Sequence, residues 1–141
     1  MIEISVIEYF GTKIDDPAAT EQMVDNATKL LRQVNKLLEE ADGDGILLIP
    51  DPDTGTLISG SKGGSGDGGF RLPDSATGRP LSAHKQARAV DVYDPKNDLD
   101  RWITDRTLSV YGLYREHPDS TMGWCHLQTK APKSGKRTFY P

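Results

Sequence analysis

His84, Asp91 and His126 are the residues whose types and spacing can do chemistry in this chain. His84 stands at the mouth of an alternating run, Arg88-Ala89-Val90-Asp91-Val92-Tyr93, and Asp91 lies on it. A second alternating run, Trp124-Cys125-His126-Leu127-Gln128-Thr129, carries the other histidine. Side chains alternate faces along a strand. Ala89, Asp91 and Tyr93 therefore share one face, with Val90 and Val92 turned to the core. Trp124, His126 and Gln128 share a face in the same way, with Cys125 and Leu127 behind them. Were the two strands neighbours, two imidazoles and one carboxylate would converge. With a fourth position left for water, that is the donor set of a catalytic zinc site. Zinc in such a site acidifies water and polarises a carbonyl oxygen. By spacing alone, the same residues also suit a satisfied surface histidine and an aspartate paired with an arginine.

The elements that must position these residues are legible in outline. Residues 2–7, Ile-Glu-Ile-Ser-Val-Ile, suit a short strand or an ordered N-terminal segment. Asp15-Asp16-Pro17 reads as a helix start. Val24, Ala27, Leu31, Val34, Leu38 and Ala41 then recur at helical steps, which predicts an amphipathic helix over 17–41. Asp42-Gly43-Asp44-Gly45 stops it. The apolar run 46–50 predicts a buried strand, and 51–69 a flexible glycine-rich loop. Residues 98–116 read as a second helix, 88–93 and 124–129 as strands, and the basic tail after 130 as irregular. The glycines of 61–69 do not make a phosphate loop, because no Gly-Lys-Ser/Thr follows them.

The whole has the size and composition of one globular domain: 141 residues, 35% hydrophobic and 27% charged. A net charge of -4 disfavours nucleic acid or an acidic membrane as the main partner. Cys125 is the only cysteine, so there is no disulfide framework, and its place opposite His126 predicts buried packing. No apolar run approaches the roughly 20 residues of a membrane span. The N-terminal sequence lacks a basic region followed by a long apolar one, so synthesis in the cytoplasm without a signal peptide is expected.

The pattern Ser82-x-His84-x-x-Ala87-x-Ala89-x-Asp91, followed by Trp124-x-His126, resembles the zinc D-Ala-D-Ala carboxypeptidases, peptidase family M15. Gly68-Gly69-Phe70-Arg71 is similar to that family's Ser-Gly-Tyr-Arg segment, and the ending resembles small phage-encoded members. The resemblance implies an α+β, Hedgehog/DD-peptidase-like fold with an antiparallel sheet flanked by helices. It also implies His84, Asp91 and His126 as zinc ligands, Arg71 as oxyanion partner, and Ser82 as contact for a substrate carboxylate. The substrate would be a peptidoglycan stem peptide, cut by a carboxypeptidase or an endopeptidase. A virion-borne or lysis-released protein would reach it.

Two positions depart from the pattern. Ala87 stands where the family usually has glycine, which is a strain if the backbone there has positive φ. Gly123 stands where the family has its catalytic glutamate, three residues before the last histidine. A hydrolase would have to recruit a base from the preceding loop: His117 first, for its pKa near neutrality, then Asp119, then Glu116 at the end of the predicted helix. The alternatives are a non-catalytic zinc-binding module or virion component that retains fold and metal site, and a structural protein without a metal.

Overall fold

The computed structural model describes residues 2–60, 68–79 and 81–141. Residues 61–67 of the predicted flexible loop lie outside the described residues. The architecture is α+β, with a four-stranded sheet in the order β1-β3-β2-β4. The strands are β1 Ala89–Tyr93, β2 Tyr114–Glu116, β3 Trp124–Gln128 and β4 Thr138–Phe139. β3 is central and antiparallel to both β1 and β2, whereas β4 runs parallel to β2. The sheet is therefore mixed, not wholly antiparallel as expected.

The helices are α1 Val6–Phe10, α2 Glu21–Gly43, α3 Asp98–Trp102 and α4 Asp105–Val110. α2 is the amphipathic helix read from the sequence, and Ala27, Leu30, Leu31, Val34, Leu37, Leu38 and Ala41 form its buried face. These join Val90, Val92, Cys125 and Leu127 from the back of the sheet in one buried cluster. α2 starts later than predicted. The Asp16 carboxylate accepts from Ala18 N at 2.8 Å in a local turn, and Thr20 is the residue that caps the helix.

Local chemistry overrides three other expectations. Residues 6–10 are helical, not extended, because Ser5 and Glu8 form a reciprocal capping box. Residues 46–50 form no strand, and Leu47 is 81% exposed. The outer edge of β1, where such a strand could pair, is already occupied. Ser59 N donates to Asp91 O at 2.8 Å, Tyr93 N to Leu57 O at 2.7 Å, and Asp91 N to Gly68 O at 2.7 Å. The predicted helix over 98–116 is broken into α3, α4 and β2. Ile103 is extended, Thr104 caps a new helix, and Gly112 at φ 66° turns the chain back into the sheet. The tail also contributes more than predicted, since it supplies β4. Among the described residues no helix is long and apolar enough to cross a membrane.

Candidate metal centre

β1 and β3 pair with Asp91 directly opposite His126, so both side chains leave the same face of the sheet. His84 comes from the short 3-10 turn Ala83–Gln86 just before β1, where Ser82 Oγ accepts from His84 N at 3.3 Å. All three side chains are buried, and one donor atom from each lies within 4.8 Å of the others. The sequence reading of strand faces thus agrees with the geometry. Val90, Val92, Cys125 and Leu127 point into the core behind the site.

The hydrogen-bond network assigns the ring nitrogens. His84 Nδ1 lies 2.9 Å from the Gly69 carbonyl, which can only accept, so Nδ1 carries the proton and Nε2 presents a lone pair. Gln128 Nε2 donates to Lys130 O at 2.6 Å, which turns its Oε1 toward His126 Nε2, also at 2.6 Å. His126 Nε2 is therefore the donor, and Nδ1 faces the site. Asp91 Oδ1 lies 2.9 Å from His126 Nδ1 and 3.3 Å from His84 Nε2. With both imidazoles neutral, two nitrogen lone pairs and a carboxylate oxygen would confront one another. A cation between them, either a proton or a metal ion, removes that conflict. The donor set of two imidazoles and one carboxylate fits a divalent metal.

Without a metal, protons do this work. Burial alone would lower the His126 pKa, but the hydrogen bond and charge of Asp91, with Glu116 and Gln128, push it up from 6.5 to about 9. Burial would likewise raise Asp91. The charge of His84 and the hydrogen bonds from His126 and His84 outweigh it and hold the carboxyl well below the usual carboxylate range.

Two further charged groups flank the three donors. Glu116 Oε1 lies 3.4 Å from His126 Nδ1. The β2–β3 register pairs Tyr114 with Gln128 and Arg115 with Leu127, and its next step sets Glu116 opposite His126. Arg115 points the other way and fixes the strand from behind. It is buried, and its Nη1 donates to Asp100 O at 2.6 Å. On the opposite flank, Arg71 Nη2 lies 3.6 Å from Asp91 Oδ2. The Arg71 backbone N donates to His84 O at 3.2 Å, and Lys13 Nζ donates to Phe70 O at 2.8 Å. Gly68 and Gly69 are required for this packing. A Cβ on them would meet Ser59 O at 2.1 Å and Tyr9 O at 2.3 Å.

These groups open onto a cleft of about 1120 Å³ that Ser82, Trp124, Gln128 and Phe139 also line. Ser82, Arg71 and the three donors are brought together. His117 and Asp119 are not among the lining residues. The His117 ring stacks on Tyr140, with centroids 4.5 Å apart, and its Nδ1 accepts from Asp119 N at 3.1 Å. Of the three candidate bases, Glu116 is the one that lines the cleft. Glu116 sits on a strand facing the site, and not at a helix end, because the helix stops before Gly112. Ala87 adopts φ 55°, so the alanine there carries left-handed backbone strain that glycine would avoid.

Sequence reasoning missed Gly78 and Phe139. Gly78 has φ 86°, and a Cβ on it would lie 2.9 Å from Arg71 Nη1. Its missing side chain is the space in which the guanidinium lies. No family model, curated protein or solved structure matches the chain.

Proposed function

We propose that this protein is a zinc-dependent peptidase cleaving peptidoglycan stem peptides, as a D-Ala-D-Ala carboxypeptidase or an endopeptidase, on a Hedgehog/DD-peptidase fold. One observation carries the reading. Three potential ligand atoms, on His84, Asp91 and His126, converge between a carboxylate, Glu116, and a guanidinium, Arg71. The resemblance of the Ser82–Asp91 and Trp124–His126 motifs supplies the substrate class.

His84, Asp91 and His126 would hold the zinc, which when bound supplies Lewis acidity toward a carbonyl and lowers the pKa of water. Glu116 takes a proton from the attacking water and delivers it to the leaving amine. A carbon–oxygen bond forms, the peptide carbon–nitrogen bond breaks, and the products are an acid and an amine. Arg71 offers its planar fork to the oxygen on which charge develops. Ser82 contacts a substrate carboxylate. Arg79, Lys130 and Lys133 add positive charge to the cleft walls, which suits an anionic peptide.

The non-catalytic alternative drew its support from Gly123, which leaves the family's base position empty. Glu116, 3.4 Å from His126 Nδ1, offers the peptidase reading a base in its place. Metal analysis of the purified protein, combined with turnover of purified muropeptides, tests the proposal. Stoichiometric zinc with release of a peptide fragment is expected. Zinc without cleavage of any muropeptide would favour the binding module.

A further inference from the structure

β4 is two residues long, yet every residue around it is fastened. His117 N donates to Phe139 O at 2.6 Å, and Arg115 N donates to Arg137 O at 2.8 Å. Thr138 Oγ1 accepts from Arg115 Nε at 3.0 Å and donates to Asp105 Oδ1 at 2.7 Å. Arg137 lies over the Tyr114 ring at 4.3 Å, and Tyr140 stacks on His117. Stability of the core does not explain this investment in contacts. Phe139 belongs neither to the buried cluster nor to the partly buried residues packed against it. An aromatic side chain held in fixed register, kept out of the core and turned into a cleft is a surface made for a ligand.

The register says which part of a ligand it meets. Phe139 pairs with Glu116 across β4 and β2, Glu116 comes opposite His126, and His126 pairs with Asp91. Directly paired residues share a face. Phe139, Glu116, His126 and Asp91 therefore form one row across the sheet, with Arg71 beyond Asp91. The Phe139 ring presents itself edge-on to His126, with centroids 6.5 Å apart. The row is cationic at one end and aromatic at the other, with the metal ligands and Glu116 between.

We infer that Phe139 is a specificity-determining residue that receives an apolar side chain on the leaving-amine side of the cleaved bond, with His117 as the positioning residue that pins it. The inference rests on the peptidase reading, because it is Glu116, next to Phe139, that protonates the leaving amine. A carboxylate on that side chain would meet a phenyl ring and the charge of Glu116, while the row's guanidinium, Arg71, stands at its far end beyond Asp91.

The test uses the full zinc-loaded chain and synthetic stem pentapeptides. Digestion first locates the cleaved bond, and the residue after it is then made alanine, leucine or aspartate. Turnover is read with the unmodified protein, and binding by calorimetry with Glu116→Gln. Leucine and alanine peptides should exceed the aspartate peptide by about 100-fold in kcat/KM, with the same order in affinity. Phe139→Ala should raise KM for the apolar peptides about tenfold, change kcat little and collapse the selectivity. Phe139→Leu should restore most of it. His117→Ala should weaken selectivity in the same sense, and His117→Phe, which keeps a stacking ring, should rescue it. If no bond is cut, the three residues are placed at each position in turn and binding alone is read. Selective binding lost in Phe139→Ala would then uphold the subsite while overturning the peptidase reading. Equal binding of leucine and aspartate peptides, or selectivity unchanged in Phe139→Ala, would overturn the inference.

Discussion

Glu116 and His126 meet across β2 and β3, with Oε1 and Nδ1 3.4 Å apart. The register places them there. Tyr114 pairs with Gln128, so the strand that follows Gly112 delivers Glu116 to the open side of the three donors. Arg115, held on the far face by Asp100, prevents the strand from rotating. In the proposed reaction, a carboxylate so placed serves both the attacking water and the leaving amine.

Glu116→Gln keeps the size of the side chain and removes its ability to take a proton. Muropeptide turnover should fall by about 10² to 10⁴-fold. Zinc content should stay at the level of the unmodified protein. His117→Ala and Asp119→Ala should each cost less than about tenfold, far below the loss expected of a general base. A deep loss in His117→Ala that His117→Phe fails to rescue would return the proton-transfer role to the imidazole.

Alternation in Ala89–Tyr93 and Trp124–Gln128 reports which side chains share a face, and it located the three donors. The apolar spacing along α2 reports a buried stripe in the same way. Glu116 was misplaced because the predicted helix was carried past Gly112, whereas α4 ends at Val110 and the positive φ of Gly112 turns the chain into the sheet. Phe139 was invisible because a two-residue strand has no period. Its position depends on hydrogen bonds from Arg115 and His117, which are distant in sequence.

Ligand removal should separate binding from folding. The unmodified protein should retain one zinc per chain through gel filtration, and His84→Ala, Asp91→Asn or His126→Ala should each lose it. Chelation should lower the melting temperature of the unmodified protein and leave that of the three variants unchanged, since a ligand bound only to the folded state stabilises it. Stoichiometric zinc kept by the His84→Ala/His126→Ala double variant would rule out the assignment.

The metal-free protein should show a pH dependence of stability whose sign follows from the two shifted groups. His126 rises from 6.5 unfolded to about 9 folded. Its contribution is therefore complete below about pH 6.5 and is lost as pH climbs through about 9. Asp91 is depressed from 3.8, so its contribution is present above that value and is lost in acid. Thermal melts of chelator-treated protein should peak between about pH 4 and 6.5 and decline toward pH 9. The alkaline decline should vanish in His126→Ala. Melts that rise steadily from pH 6 to pH 9 would contradict the assigned protonation.

The guanidinium of Arg71 lies against the backbone of Gly78. Its Nη2 is drawn to Asp91 Oδ2 at 3.6 Å, while Nη1 lies where a Gly78 side chain would stand. Gly78→Ala introduces a methyl 2.9 Å from that nitrogen at a residue whose φ is 86°. Both the backbone strain and the contact push the guanidinium off its line, and neither touches a metal ligand. Turnover should drop about tenfold or more with zinc content unchanged, because a misdirected donor stabilises developing charge poorly. Arg71→Lys should cost a similar factor despite the retained charge, since an ammonium cannot reproduce the planar fork. If the two substitutions act through the same donor, the double variant should be scarcely worse than either alone. Losses that multiply would mean that Gly78 matters for another reason, and full activity in Arg71→Ala would remove the residue from the mechanism.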